Sequence, residues 1–299
     1  MKLTHLALAT VGSAALFTLS TAKAQTLADW TFQSDAVATN NNPVADAGTG
    51  TATSIGMDLY ATPNVGVTTD DVLVGVTSGS KSDTGANGQA DGTNEWRVRA
   101  QAGANGAANG WSSAAPIGSQ GAQFFTSTAG ITSGAINISF DWYTTTQGEA
   151  NLQLEYTTNN GATWTNLAIT PTSADTAGGL QVLTNNGSDA NTVTGSYLSD
   201  NLLTGGSKAG QDWFQGLTAT ITDTSALNDS EFGIELVNAS TGADDVSTQG
   251  TALNNTSGNW RFDNIDIVAT PEPSSWMLGL GAVAAFFVLR RTRREASRR

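Results

Sequence analysis

Between residues 25 and 269 the apolar residues of this chain occur in short alternating runs, separated by clusters of Gly, Asn, Ser and Thr. A period of two places successive side chains on opposite faces of a strand, whereas an amphipathic helix needs a period near 3.6. The runs at 94–99, 135–142, 151–156 and 231–237 all alternate in this way. The pattern contains no convincing long amphipathic helix. It therefore predicts an all-β fold, a single antiparallel β-sandwich.

Two consecutive strands, at 135–142 and 151–156, are predicted to pair as a hairpin around a turn at 147–150. Asp141 and Glu155 would then be near neighbours across the hairpin. Alternation alone does not specify the register of a hairpin, so the sequence does not predict the distance between their carboxyl groups.

Two pairs of adjacent residues each predict a local feature of the backbone, one a β-bulge and the other a hairpin turn. Asp263 and Asn264 interrupt the alternation of the last strand, at 260–268, and predict a β-bulge. Asn160-Gly161 predicts a tight hairpin turn, in a segment at 156–164 that ends on a tryptophan. This segment is similar to the Asp-box of sialidases, with Asn159 in place of the Asp, and the resemblance implies a turn-stabilising role.

The residues that many catalytic sites require are missing from the body of the chain. The sequence has no cysteine, and its one histidine is His5. A Ser-His-Asp triad, a Cys-His pair and a His-ligated zinc site are therefore excluded for residues 25–270. Packing, without disulfides, must hold the fold together.

Charge is distributed very unevenly along the chain. Residues 25–270 contain five basic and 24 acidic side chains, a formal net charge of −19, whereas six arginines lie in the last ten residues. An acidic surface of this kind repels phosphate backbones and anionic lipid. We therefore expect no nucleic-acid partner.

Glycoside hydrolysis requires two carboxyl groups that face each other across a cleft. Glu231 and Glu235 share one strand face, but four residues of strand separate them by roughly 13 Å. That separation is too large unless a neighbouring strand contributes a second carboxyl group. We predict no catalytic residues and expect that the protein is not an enzyme.

The first 24 residues have the pattern of a secretory signal peptide. Lys2 precedes an apolar stretch from about Leu6 to Leu19, and the small residues Ala22 and Ala24 form an A-x-A cleavage site before Gln25. We expect signal peptidase to remove residues 1–24, which places the body of the chain outside the cytoplasm.

Three features follow one another in residues 270–299. The first is a Pro-Glu-Pro-Ser-Ser segment: Pro271, Glu272, Pro273, Ser274 and Ser275. An apolar run of 13 residues follows at 277–289. As a helix it would be roughly 20 Å long, which is short for a hydrocarbon core of about 30 Å. The arginines beyond it mark the cytoplasmic side of a membrane.

These features together resemble the PEP-CTERM sorting signal of Gram-negative bacteria, although Thr270 stands where Val is common. The resemblance implies that an exosortase in the inner membrane recognises the motif, cuts near it and delivers the protein to the cell envelope or an exopolysaccharide matrix. It divides the chain into a signal peptide at 1–24, an extracytoplasmic domain at 25–269 and a sorting signal with a short transmembrane helix at 270–299. An ordinary tail anchor is the alternative.

The order of the predicted strands is similar to that of jelly-roll domains in PEP-CTERM and other secreted bacterial proteins. The similarity rests on a Trp-x-Phe first strand at Trp30 and Phe32, a central hairpin and a closing Phe-Asp-Asn-Ile strand. This similarity implies a jelly-roll-like fold more than any function. Together with the sorting signal, it leads us to expect an exported protein with a structural or adhesive role in the envelope or biofilm matrix. Carbohydrate-binding modules share this layout, so binding of an extracellular polysaccharide is the alternative function.

Sugar binding would require exposed aromatic rings as stacking platforms. Three tryptophans lie in or beside predicted loops and are the candidates: Trp111, Trp164 and Trp213. Four others are expected to fill the core: Trp30, Trp96, Trp142 and Trp260.

Calcium is the cation that an acidic extracellular domain would bind through carboxylate and carbonyl oxygens. Five aspartates are the candidate contributors to a structural site: Asp29, Asp244, Asp245, Asp263 and Asp266. Because they form no ligand loop of fixed spacing, the sequence assigns no metal site and no cofactor.

Overall fold

Antiparallel strands make up about half of the residues that the structure describes, as the alternating pattern predicts. The computed structural model describes residues 23–33, 42–56, 71–73, 94–99, 110–173, 175, 180–184, 196–200, 213–256 and 258–271. These ranges contain the following strands: β1 (Gln25–Trp30), β2 (Ala47–Gly48), β3 (Gly50–Ile55), β4 (Asp71–Leu73), β5 (Glu95–Arg99), β6 (Trp111–Ser112), β7 (Gly121–Thr126), β8 (Ala135–Thr144), β9 (Asn151–Thr157), β10 (Thr165–Leu167), β11 (Leu180–Thr184), β12 (Ser196–Asp200), β13 (Phe214–Ile221), β14 (Gly233–Asn238), β15 (Asn254–Thr256) and β16 (Asn259–Thr270).

The strands form two large sheets. Sheet A has the order β13-β8-β16-β1-β2, and β5 pairs with the first part of β16 and with β4. Sheet B has the order β11-β12-β9-β14-β7-β3, and β10 also pairs with β9. A separate two-stranded ribbon joins β6 to β15. The all-β prediction is confirmed, and the architecture is β-sandwich-like.

The core lies between the inner faces of the two sheets. Phe124 of sheet B packs edge-on against three aromatic residues of sheet A, at ring-centroid distances of 5.2 Å to Trp30, 5.7 Å to Trp96 and 6.0 Å to Phe262. The four tryptophans predicted for the core are all 0% exposed. Edge-to-face packing of large rings supplies the cohesion that this cysteine-free chain needs.

The predicted hairpin between 135–142 and 151–156 is wrong. β8 lies in sheet A between β13 and β16, whereas β9 lies in sheet B beside β14. The residues between them cross from one sheet to the other instead of turning back. Each strand finds a longer ladder elsewhere, because β8 pairs with β16 over most of its length and β9 pairs with β14 over six positions.

The predicted bulge in the last strand is confirmed. Pairing of β16 with β8 shifts between Asp263 and Asp266, and Asn264 has φ +50°. β13, on the other side of β8, shifts its own register between Phe214 and Leu217. Two bulges therefore flank β8, one on each neighbouring strand.

The chain ends are covered only in part. The described residues from Ala24 to Pro271 belong to one compact unit. Of the predicted signal peptide only Lys23 and Ala24 are described, and of the predicted sorting signal only Thr270 and Pro271; the expected short transmembrane helix lies outside the described residues. In the part of the chain that the structure describes, no helix is long and apolar enough to cross a membrane.

Candidate functional site

A row of polar side chains crosses five strands of sheet B on the face turned away from the core. The residues follow one another in register across β3, β7, β14, β9 and β10: Thr53, Gln123, Glu235, Glu155 and Asn166. Their neighbours along the strands include buried core residues such as Phe124 and Ile234, so alternation directs this row to the opposite face. We call these five residues the polar row.

The centre of the polar row is a pair of buried carboxyl groups. Glu235 is 1% exposed and Glu155 is 9% exposed, and a side-chain hydrogen bond joins them. Gln123 Nε2 donates to Glu235 Oε2 at 2.9 Å. Burial, followed by the adjacent Glu155, raises the pKa of Glu235 to about 9. The pair therefore holds a proton at neutral pH.

A loop covers this acid pair. A Cβ placed on Gly118 would lie 3.6 Å from Glu155 Oε2 and 4.0 Å from Glu235 Oε1, so both oxygens face this glycine. The Gly118 N–H donates to Asn238 O at 3.0 Å, and Asn238 Nδ2 donates to Pro116 O at 3.0 Å. Asn238, at the end of β14, thereby fixes the loop above the pair.

The carboxyl pairing differs from the sequence expectation. Glu155 is opposite Glu235, whereas Asp141 lies in the other sheet, opposite Asp263. A neighbouring strand does therefore supply a second carboxyl group beside Glu235. Alternation alone places both residues on the polar face, but only strand pairing brings them together.

An aromatic shelf, formed by Trp164 and Phe125, borders the polar row. The two half-buried rings lie 6.2 Å apart at 51°. Two glycines make room for them: a Cβ on Gly233 would lie 2.6 Å from Phe125 Cδ1, and one on Gly161 would lie 3.3 Å from Trp164 Cζ2. Phe125 is two residues from Gln123 on β7, so the shelf and the row share one face of the sheet.

The Asn-Gly turn positions Trp164. Asn159 Oδ1 accepts from the Thr163 N–H at 2.9 Å, and Asn159 Nδ2 donates to Thr163 Oγ1 at 2.8 Å. Asn160 and Gly161 take the positive φ values of 53° and 82° that such a turn needs. These contacts close the loop between β9 and β10, as expected from its likeness to an Asp-box.

Trp111 is not an exposed platform in this structure. It is 0% exposed, its Nε1 donates to Gly258 O at 2.7 Å, and its ring lies 4.5 Å from that of Trp260. The sequence expectation of an accessible ring therefore needs correction at this position. The surrounding Gly, Ala and Asn residues are typical of a loop, but the short β6–β15 ribbon carries the indole into the core.

Trp213, just before β13, is half-buried and lies over the outer face of sheet A. Its ring centroid is 5.6 Å from that of Tyr143, and the Arg261 guanidinium lies 5.0 Å from the same Tyr143 ring. Arg261 Nη1 also contacts Glu95 Oε1 at 3.1 Å. Tyr143 is only 4% exposed, so Trp213 is the ring of this stack that reaches solvent.

The fold does not bring the five aspartates considered for calcium together in one place. Asp29 of β1 lies opposite Asp266 of β16. Burial, then the charges of Asp266 and Asp46, raises the pKa of Asp29 to about 6. Asp263 instead accepts from the Asn264 N–H at 2.8 Å within the bulge. Among the described residues there is no group of three or more His, Cys, Asp or Glu side chains arranged to hold a metal ion.

The remaining two of the five aspartates considered for calcium, Asp244 and Asp245, are adjacent in the loop after β14. Asp244 is exposed, whereas Asp245 is 1% exposed.

Three of the predicted processing residues can be placed. Ala24 and Gln25 are exposed, and Pro271 is half-buried. The others lie outside the described residues: Ala22, Glu272, Pro273, Ser274 and Ser275.

No protein-family model matches this chain, and no curated protein sequence matches it either.

Proposed function

We propose that this chain is an exported protein sorted through a PEP-CTERM signal, and that its mature domain has a structural or adhesive role in the cell envelope or extracellular matrix of a Gram-negative bacterium. Signal peptidase and an inner-membrane exosortase are its processing partners, and it is held at the inner membrane during processing. The proposal rests on the Pro-Glu-Pro segment, the short apolar run and the arginines that follow one another after residue 270.

The observation that carries this proposal is how closely the domain fits between the two expected cuts. β1 begins at Gln25, directly after the A-x-A site, and β16 ends at Thr270, directly before Pro271. Removal of the two ends would therefore leave every residue of these two strands in place. A cut a few residues further upstream would remove Ala269, whose register partners are Gln25 of β1 and Ile136 of β8.

The pairing of Gln25 with Ala269 also means that the chain enters and leaves the domain at the same end of sheet A. The two proposed cuts would therefore fall at the same end of sheet A. A protein released from its anchor would keep its central strand β16 between two neighbours.

We also propose that the domain is a jelly-roll-like sandwich. In support, the strands of six residues or more alternate between the sheets from β7 onward: β7, β9 and β14 in sheet B, and β8, β13 and β16 in sheet A; the shorter β10, β11 and β12 stay in sheet B with β9. Jelly rolls are double-sheet folds of this kind, in which the chain crosses repeatedly between the two sheets.

The first test is intact mass and location of the mature protein in its native host, for the wild type, Glu272→Ala and the control Glu295→Ala. We expect the wild type and the control to lose residues 1–24 and the arginine-rich tail, whereas Glu272→Ala keeps the tail and stays in the membrane fraction. An intact tail in the membrane fraction of all three proteins would make this a plain tail-anchored protein.

Glycan binding is the second candidate function, and the aromatic shelf favours it. Trp164 and Phe125 offer partly exposed rings beside Gln123 and the other polar side chains of the row, the combination of stacking and hydrogen-bonding groups that sugars require. Trp213, on the outer face of sheet A, is a separate candidate platform.

A glycan array probed with the wild type, Trp164→Ala, Trp213→Ala and the conservative Trp164→Phe tests this alternative. We expect selective binding that Trp164→Ala loses and Trp164→Phe partly restores. Absence of selective binding by the wild type would contradict glycan recognition and leave the structural role. Loss in Trp213→Ala alone would move the site to sheet A.

A further inference from the structure

Two carboxyl groups in the loops after β8 and β14 are buried without full compensation. Glu149 is 0% exposed and Asp245 is 1% exposed. Glu149 Oε2 and both carboxyl oxygens of Asp245 have no hydrogen-bond partner among the described residues. Burial of a charged carboxylate without a partner is strongly unfavourable, so each of these groups must either keep a proton or face a cation.

The two side chains belong to segments that run side by side. Glu149 forms an antiparallel bridge with Ser247, and Asn151 Nδ2 donates to Asp244 O at 3.0 Å. Asp245 lies between these two points of attachment. The loops therefore bring both carboxyl-bearing residues into one small region at the end of the sandwich.

The two segments that carry these carboxyl groups supply oxygen atoms and contain no basic residue. Glu149 Oε1 accepts from the Asn151 N–H at 2.7 Å and from Ser240 Oγ at 3.4 Å, whereas Oε2 has no hydrogen-bond partner among the described residues. The segments 145–151 and 239–253 contain no Lys, Arg or His.

We propose that Glu149 and Asp245 bind one divalent cation of the hard, oxygen-seeking class, calcium, in the exported protein. Calcium accepts carboxylate, carbonyl and water oxygens in flexible geometry, so two carboxyl groups with backbone and water oxygens suffice. One divalent ion would compensate both side chains at once. The neighbouring residues Gly242, Ala243 and Asp244 are exposed, which gives the ion a route from solvent.

Terbium luminescence tests this site directly, because Trp260 Nε1 donates to the Glu149 backbone carbonyl at 2.8 Å and places an indole beside it. The full-length chain, first treated with a chelator, is titrated with Tb³⁺ under tryptophan excitation and then with Ca²⁺. We expect sensitised emission that Ca²⁺ displaces, and a melting temperature that rises with Ca²⁺. Asp245→Asn and Glu149→Gln should each weaken Tb³⁺ binding at least tenfold, whereas the control Asp244→Asn, which alters an exposed carboxyl next in sequence, should not.

Three results would overturn the proposal. The first is a wild type without sensitised emission and without a calcium-dependent rise in melting temperature. The second is emission that persists at wild-type affinity in both variants. The third is emission lost in Asp266→Asn, since this would place the ion at the β1–β16 pair. If Glu149→Gln does not fold, Asp245→Asn carries the test, because both oxygens of Asp245 lack partners among the described residues and the change breaks no described bond.

Discussion

Asp141 in sheet A and Glu235 in sheet B are both buried carboxyl groups near the middle of a strand, at 0% and 1% exposure. Their partners differ. Asp141 accepts from the Gly216 N–H and from Asn264 Nδ2, which belong to the bulges on either side of β8. Glu235 has one described donor, Gln123, and faces a second acid.

The difference shows that a buried acid is stabilised or strained according to the donors that the backbone brings to it. The bulges turn an N–H and an amide toward Asp141, and both donate to its carboxyl oxygens. Flat, regular pairing of β9 with β14 offers Glu235 no such donors, because the backbone groups of both strands are used in the ladder. Glu235 keeps a proton instead.

The largest expected effect that tests this contrast is that of Asp141→Asn. The amide presents an NH₂ group to one of two donors and leaves that donor buried and unpaired, so we expect the free energy of unfolding to fall by about 3 kcal/mol. Urea unfolding at pH 7 measures it, with Asp244→Asn as an exposed control. Equal stability of Asp141→Asn and wild type would show that this carboxylate does not hold the bulges.

The same chemical change in sheet B is expected to have the opposite sign. In Glu235→Gln the new amide can accept from Gln123 and donate to Glu155. It makes both contacts without the bound proton that Glu235 needs. The pKa of Glu235 is raised to about 9 from an ordinary value of 4.5, so the folded state binds a proton that the unfolded state releases between these pH values. Wild-type stability therefore falls as pH rises through this window, and Glu235→Gln should be more stable by about 2 kcal/mol at pH 8.

Unfolding curves at pH 5, 7 and 8.5 check this prediction. The gain in Glu235→Gln should grow with pH, and the control Glu231→Gln, which alters an exposed carboxyl four residues earlier on the same segment, should show none. A gain that is constant with pH would indicate better packing and not relief of a titrating acid.

The contrast also shows what the sequence could predict. Alternation at 135–142, 151–156 and 231–237 is a local property, so it correctly predicts strands and an all-β fold. The Asp-Asn pair in β16 correctly predicts a bulge, because these residues tolerate the left-handed conformation that Asn264 adopts. The partner of each strand depends on long-range pairing, and the expected β8–β9 hairpin is therefore where the sequence prediction fails.

In the candidate site, too, local features could be predicted from the sequence and contacts between distant segments could not. Trp164 is predicted beside a turn and lies there, since the turn is encoded by adjacent residues. The acid pair and the burial of Trp111 depend on contacts between distant segments. No local pattern distinguishes the indole of Trp111, which packs on Trp260, from one exposed in a loop.

Two substitutions of Asn264, in sheet A, separate the contribution of its hydrogen bond from that of its backbone conformation. Asn264→Ala removes the hydrogen bond to Asp141 and puts a less tolerant residue at φ +50°, whereas Asn264→Gly removes only the bond. We expect a loss of about 2 kcal/mol for Ala and about 1 kcal/mol for Gly in the free energy of unfolding. Urea unfolding of both variants checks this order. Equal losses would mean that the conformation costs nothing and that the bond alone matters.

The smallest expected effect concerns the loop above the acid pair of sheet B. Gly118 has φ +77°, and a Cβ there would make only ordinary contacts with Glu155 and Glu235. Gly118→Ala should therefore cost about 1 kcal/mol, from backbone strain alone. The informative measurement is the same change made in Glu235→Gln. If the loop touches the pair only as a cover, the two changes add within about 0.5 kcal/mol. A larger departure from additivity would mean that the proton and the loop stabilise each other. In that case the backbone around Glu235 would give this acid a structural role, as the bulges do for Asp141.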